Sequence, residues 1–246
     1  MPANPLTLTG ERTLPGRPEE NYWFRRHEAA YRAIAPFCRS ALVVDAGCGE
    51  GYGAALLHRL GAGRVVGLEL AADVAAHAAA SYPMVRVARA DLQRWPVADG
   101  AVETVVSSQV VEHLHDQPGF VAECARVLRP SGALVVTTPN RMTFSPGLAA
   151  PVNPFHTREL SADELVELLA PRFTVARLLG VSHGRRLRRW ERRHGSLVDA
   201  QLRTPSEHWP SSLAGAVRAV TAADFTVSPY GVDSSLDLLA VATRRR

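Results

Sequence analysis

The chain has no lysine: all 28 of its lysine-plus-arginine positions are arginine, set against 24 acids for a formal charge of +4. With its abundant alanine this is the codon habit of a GC-rich genome, and it carries no functional information. Cysteine is scarce. Cys38, Cys48 and Cys124 are scattered and form no C-x-x-C pair, which argues against a disulfide framework or a zinc clasp and fits a reducing cytoplasm. No apolar run approaches the ~18 residues of a membrane span, and Met1 to Gly16 is polar and proline-rich, with no apolar signal core. No internal repeat or low-complexity tract stands out. What remains is a cytoplasmic globular chain of 246 residues, a length that suits one α/β domain with an insertion.

What the chain has is a glycine-rich turn, Val43-Val44-Asp45-Ala46-Gly47-Cys48-Gly49-Glu50-Gly51-Tyr52-Gly53. An apolar β-branched run ends in an acid, then alternating glycines, then helix formers from Ala54 to Leu57. Strand, tight turn and helix start follow in that order, and alternate glycines let a ligand lie against the backbone. A dinucleotide and S-adenosylmethionine (SAM) both use such a turn. Gly49-x-Gly51-x-x-Ala54 with Glu69 about 20 residues on meets the dinucleotide fingerprint loosely. Asp45, however, would repel a pyrophosphate, whereas an acid suits the ammonium and sulfonium of SAM.

Strand and helix signals alternate after the turn. Val65 to Glu69, Val85 to Asp91, Val102 to Ser108 and Ala133 to Thr138 read as strands. Between them lie helical patterns at Tyr52 to Leu60, Ala71 to Ser81 and Pro118 to Leu128, the last capped by Asp116. Ser161-Ala162-Asp163-Glu164 is a capping box opening another helix. Phe173 to Leu179 and Leu236 to Ala242 complete seven strands. The expectation is a doubly wound, mostly parallel Rossmann-like α/β sheet of seven strands, with an N-terminal helix and a helical insertion before the last strand. Ligands bind such sheets beyond the carboxyl ends of the strands. Asp45, Glu69, Asp91 and Gln109 fall there, one per successive strand.

The chain divides into an arm and lid helix (1–40), a cofactor-binding core (41–180), a substrate-capping insertion (181–235) and a last strand with a basic tail (236–246). The helical pattern from Glu20 to Phe37 crowds Tyr22, Trp23, Phe24 and Tyr31 beside Arg25, Arg26 and His27. These rings pack the core or close a lid over the cofactor; in the lid reading Tyr22 and Arg26 touch it. Arg185, Arg186, Arg188, Arg189, Arg192 and Arg193 form either a solvated helix face or a site for an acidic ligand or substrate.

The motif D-A-G-C-G-E-G resembles the first motif of the class I SAM-dependent methyltransferases, and later motifs follow in that family's order from about Leu42 to Phe173 and from Leu236 to Ala242. The resemblance implies SAM as cofactor. Asp45 and the Gly47, Cys48, Gly49 and Gly51 backbone would face its methionine part, and Glu69 would take both ribose hydroxyls. Asp91 and the Leu92 amide would hold the adenine, with Leu70 packed on the ring and Gln109 near the methyl group. Val110-Val111-Glu112-His113-Leu114 is similar to the E-H-L signature of the small-molecule branch. Three flanking stretches, Leu6 to Thr13, Glu20 to His27 and Asn153 to Leu160, resemble actinobacterial methyltransferases associated with methylated glucose polysaccharide assembly. That implies a sugar or oligosaccharide hydroxyl as the acceptor.

A sugar hydroxyl is weakly acidic, so a base or a metal must help remove its proton. His113 and His156 are the candidates, with Glu112 as an orienting acid, against the alternative of a purely structural role for both histidines. Glu112, His113 and His156 also resemble the metal site of a small-RNA 2′-O-methyltransferase family, with Gln109 where that family has an acid; magnesium is therefore carried as an alternative. The D/N-P-P-Y/F signature of amino-methylation is absent, since Ser107-Ser108-Gln109-Val110 stands in its place, and no Pro-Cys nucleophile occurs. The arginine cluster has no interleaved stacking aromatic except Trp190, which speaks against nucleic acid. The rivals kept open are a natural-product O-, N- or C-methyltransferase, an NAD(P) oxidoreductase and a non-catalytic SAM-binding module.

Overall fold

The computed structural model describes Leu6 and residues 12–245. Residues 7–11 of the Leu6 to Thr13 motif, and Arg246 of the basic tail, lie outside the described residues. One mixed sheet carries the chain, in the order β3-β2-β1-β4-β5-β8-β6-β7. Its strands are β1 (Leu42–Ala46), β2 (Arg64–Glu69), β3 (Arg86–Arg89), β4 (Val102–Ser108), β5 (Leu128–Pro139), β6 (Phe173–His183), β7 (Phe225–Ser228) and β8 (Asp237–Arg244). The first five are parallel. β8 runs antiparallel between β5 and β6, and β7 antiparallel at the edge beside β6. Chain order reverses between β1 and β4, which opens the crevice where such sheets bind ligands.

β1 shows why the centre is apolar throughout. Val43 and Val44 are both buried and point to opposite faces, one into each of the two hydrophobic layers that flank the sheet. A parallel strand covered on both sides has no polar alternation to show. Helices α2 (Tyr52–Arg59) and α3 (Ala72–Ser81) follow β1 and β2, and α4 (Gln117–Val127) follows β4. Asp116 caps α4 by accepting from the Gly119 amide, and Ser161 and Glu164 form the capping box of α6 (Ala162–Leu169). A short helix, α5 (Arg141–Phe144), interrupts the loop after β5.

The N-terminal helix α1 (Asn21–Ile34) buries Tyr22, Arg26, Ala29, Ala30 and Ile34. It sits tightly on α2: a Cβ at Gly53 would lie 2.2 Å from Tyr31 Cζ, so only glycine admits that ring.

The sheet has eight strands, not seven. β6 runs on to His183, past a register shift between Val175 and Arg177, and β7 pairs with it from inside the expected insertion. Residues 181–235 therefore complete the sheet edge as well as carrying α7 (Arg185–His194), α8 (Leu197–Arg203) and α9 (Ser211–Ala219). No helix among the described residues is long and apolar enough to cross a membrane.

Candidate active site

The turn after β1 is built from backbone that only glycine adopts without strain. Gly47, Gly49 and Gly51 have φ of 78°, 53° and 98°, in the left-handed region. Gly47 is also crowded, since a Cβ there would meet Val110 Cγ2 at 2.5 Å. Its amide and that of Cys48 both donate to the Leu68 carbonyl, tying the turn to the end of β2. Glu69, at that strand's end, accepts from the Gly49 amide at 3.1 Å and the Ala71 amide at 2.9 Å. Each carboxylate oxygen keeps further acceptor capacity.

A cavity of about 360 Å³ opens beside the turn, within the range of small-molecule sites. Gly47, Cys48, Gly49 and Glu50 form one wall; Trp23, Arg26, His27 and Tyr31 come from α1. Gln109, Glu112 and His113 follow β4, while Phe144, Asn153 and His156 come from the loop region after β5. Gln201, Leu202, Ser206 and Trp209 close it from the segment around α8. Gln109 is itself strained, a non-glycine residue at φ 56° whose amide donates to the Thr137 carbonyl. Such strain at the end of a central strand marks a position the fold over-determines.

Two buried side chains on this wall leave a polar atom without a partner: Arg26 Nη1 and Glu112 Oε1. Arg26 is otherwise locked, its Nε donating to Asp237 Oδ2 at 2.6 Å and its Nη2 to Asp237 Oδ1 and the Leu236 carbonyl. Asp237 keeps this guanidinium charged despite burial, which alone would weaken it. Glu112 accepts from Thr138 Oγ1 at 3.0 Å. Burial pushes its carboxyl up to about 8, so it carries a proton near neutral pH.

The two histidines meet edge to face, 4.9 Å between ring centroids. His113 Nδ1 lies 2.9 Å from the Phe155 carbonyl. A carbonyl only accepts, so Nδ1 carries the hydrogen and Nε2 is the basic nitrogen of the neutral ring. His156 is held at both nitrogens: Nδ1 faces Glu159 Oε1 at 2.7 Å, and Nε2 accepts from the Asn153 amide at 3.1 Å. Ligand atoms of Glu112, His113 and His156 all fall within 4.8 Å of one another.

The expected residues divide into three groups. Gly47, Cys48, Gly49, Gln109, Glu112, His113, His156 and Arg26 share the cavity. Gly51, Glu69, Leu70, Asp91 and Leu92 lie outside it, with Gly51 packed towards Tyr82 and Ala78, Leu70 exposed, Leu92 buried and Asp91 accepting from the Gln93 amide. Tyr22 and Asp45 form the third group and do not line the cavity. Tyr22 is fully buried away from the cavity, with its hydroxyl 2.7 Å from His183 Nε2 and its ring against Trp23 and Phe225; its apolar ring is better satisfied in the core than over a pocket. Asp45 is fully buried and does not line the cavity, because the Tyr31 hydroxyl covers both its oxygens at 3.3 Å. Burial raises its carboxyl to about 7.

Asp237, Thr138, Glu159 and Trp209 went unnoticed in the sequence. Glu159 stands at i+3 from His156 and could have been found by that spacing. Asp237 and Trp209 come from distant segments and gave no local signal.

A family model for the methyltransferase domain matches residues 44–136. A probable S-adenosylmethionine-dependent methyltransferase of Mycobacterium tuberculosis is 51% identical, over 97% of this chain and 90% of that protein. One of Mycolicibacterium smegmatis is 50% identical, over 97% of this chain and 95% of its own. Among solved structures, a SAM-dependent methyltransferase of Thermotoga maritima superposes with a TM-score of 0.63 at 16% identity, covering 91% of this chain and 93% of the other. Another from Mesorhizobium loti gives 0.57 at 20% identity, covering 89% and 98%; these two share the fold.

Proposed function

This chain belongs to the class I SAM-dependent methyltransferases, and from that premise we propose that it methylates a hydroxyl of a sugar or oligosaccharide. SAM is the cofactor, and the residues fit it. The glycine turn offers bare backbone at the cavity wall, with nothing within 4 Å of where a Gly49 Cβ would stand. Beside it, Arg26 Nη1 is a buried donor without a partner, suited to a carboxylate. When bound, SAM supplies an electrophilic methyl group on a sulfonium.

The protein's own task is then to align an oxygen and take its proton. Alignment alone can supply several kcal/mol of the barrier, about 7 or more in well-oriented systems. His113 takes the proton at Nε2, because the Phe155 carbonyl fixes the hydrogen on Nδ1. His156, clamped by Glu159 and Asn153, sets the wall against which His113 rests. Trp23, Phe144 and Trp209 give the cavity flat apolar faces of the kind on which a sugar ring's C–H face packs. The one observation that carries the reading is the His113–His156 pair on the cavity wall beside Gln109; the resemblance of the flanking motifs to glucose-polysaccharide methyltransferases supports it.

A second reading is favoured by Glu112 Oε1, buried and unpartnered. With His113 and His156 it could hold a divalent ion against a sugar diol, and both histidines direct Nδ1 at the carbonyl and carboxylate partners typical around metal ligands. Two imidazoles and one carboxylate suit a first-row transition ion better than magnesium, which prefers oxygen donors. His156 would have to release Asn153 to join. Calorimetric titration with manganese and with magnesium, beside the Glu112→Gln variant, reads this directly.

The acceptor reading is tested by mass spectrometry of products from SAM and a panel of glucose oligosaccharides, phenols and amines. A methyl ether on an oligosaccharide is the expected product. Methylation of phenols or amines alone would replace the sugar reading with the natural-product one. Calorimetry with SAM in the same preparation separates a wrong acceptor from a failed cofactor site.

A further inference from the structure

Helix α7, Arg-Arg-Leu-Arg-Arg-Trp-Glu-Arg-Arg-His, divides cleanly into an inner and an outer face. The inner residues are all used by the fold. Leu187 is buried, and Trp190 packs on the core and is stacked 4.6 Å from the His194 ring. Glu191 Oε2 faces His183 Nδ1 at 2.9 Å, and Arg186 is paired with Asp224. The outer face is Arg185, Arg188, Arg189, Arg192 and Arg193, all exposed. At about 100° per residue these five span an arc of roughly 140° and a length of about 12 Å.

None of the five makes an ion pair with a described residue, and none lines the cavity. Only Arg192 and Arg193, in the last turn, sit where the helix dipole favours a cation. Arg185 and Arg189, Arg188 and Arg192, and Arg189 and Arg193 are like-charge pairs at i, i+4, which destabilise a helix. Arg185 and Arg188 add positive charge to the positive end of the helix dipole. A row of cations held against these penalties, while every inner side chain is satisfied, fits an anionic partner outside the chain.

We propose that this stripe docks the enzyme on an anionic lipid bilayer surface. A straight row on one convex helix meets a plane of headgroups with all five guanidiniums at once, and α7's apolar side is already spent on the core, so contact is at headgroup level without insertion. Nucleic acid is disfavoured because the stripe carries no outward aromatic to stack a base, Trp190 facing inward. Only Gly195 and Ser196 separate α7 from α8, which contributes Gln201 and Leu202 to the cavity, so a docked surface lies close to the cavity mouth. The inference does not depend on which acceptor the cavity takes.

The test is sedimentation of the full chain with phosphatidylcholine vesicles with and without phosphatidylglycerol, for the native protein and for Arg188→Gln/Arg189→Gln/Arg192→Gln. The native chain should bind only the phosphatidylglycerol vesicles, and added salt should release it. Each arginine removed should lower partitioning about fivefold, equivalent to ~1 kcal/mol, with SAM affinity unchanged and the thermal midpoint equal to or above that of the native chain, since the like-charge pairs are gone. No binding to anionic vesicles, or binding that the triple variant keeps, would overturn the proposal. So would an RNA oligonucleotide that binds more tightly than the vesicles and is lost in the same variant.

Discussion

On the β1 side of the cavity the wall is backbone, with Gly47 and Gly49 at positive φ and their amides tied to the end of β2. On the far side it is side chains, drawn from residues near 112, 156 and 209 that meet only in the folded chain. On the proposed reading the first wall takes the cofactor through backbone groups that every residue possesses. The second wall's proposed chemistry rests on individual imidazoles and carboxyls. Substitutions should therefore act differently on the two walls. On the backbone wall they should cost cofactor affinity; on the side-chain wall they should cost rate.

The largest effect is expected at His113. His113→Ala should lower kcat by about 10²- to 10⁴-fold, the range of a lost general base, while the calorimetric Kd for SAM stays put. A matching loss of SAM affinity would mean that the two walls are not separate. Gly47→Val comes next and should do the reverse. Its Cβ would lie 2.5 Å from Val110 Cγ2 at a φ of 78°; strain of that kind costs about 1–3 kcal/mol, which predicts a SAM Kd up by roughly 10- to 100-fold. A normal Kd would show that the turn is not the cofactor wall. Glu159→Gln should be milder: it weakens the hold on His156 Nδ1, now 2.7 Å from Glu159, without removing a reacting group. A kcat lower by roughly tenfold is expected, by analogy with outer partners of ligating histidines, with unchanged SAM affinity.

The same contrast decides what could be read from the sequence. The backbone wall is local: strand, acid, glycines and helix start lie within eleven consecutive positions, so the turn was visible at once. The apolar runs then placed Glu69 at the end of β2 and Asp91 and Gln109 just beyond β3 and β4. The side-chain wall was half visible. His113 and His156 stood inside motifs, but the clamp by Glu159 and Asn153, and the Arg26–Asp237 pair across 211 positions, are tertiary facts with no local pattern.

Two strands extend beyond what the sequence pattern shows. β6 continues from Leu179 through Gly180 to His183, where its partner is β7, distant in the chain. β7 is four residues of an edge strand, Phe-Thr-Val-Ser, too short for periodicity to separate from a loop. Tyr22 misled for a different reason. A ring-rich helix beside a pocket suggests a lid, yet Tyr22 faces His183 in the core while its neighbour Trp23 takes the cavity wall.

Asp45 gives the smallest effect and the finest test of the backbone wall. Fully buried and accepting from the Tyr31 hydroxyl, its carboxyl titrates at about 7 in the folded chain and near ~3.9 when unfolded. Between those values the folded state holds a proton that the unfolded state has released. Folding stability is thus full below about pH 4 and falls as pH rises towards about 7. Asp45→Asn cannot ionise and keeps a carbonyl that accepts from Tyr31. Its thermal midpoint relative to the native chain, measured without SAM, should therefore rise by a few degrees between about pH 5 and about pH 6, on the order of 1–2 kcal/mol. Glu112, also raised by burial, titrates in both proteins and cancels in the difference. A flat difference would mean that Asp45 is ionised throughout this range, with charge rather than buried backbone organising the turn.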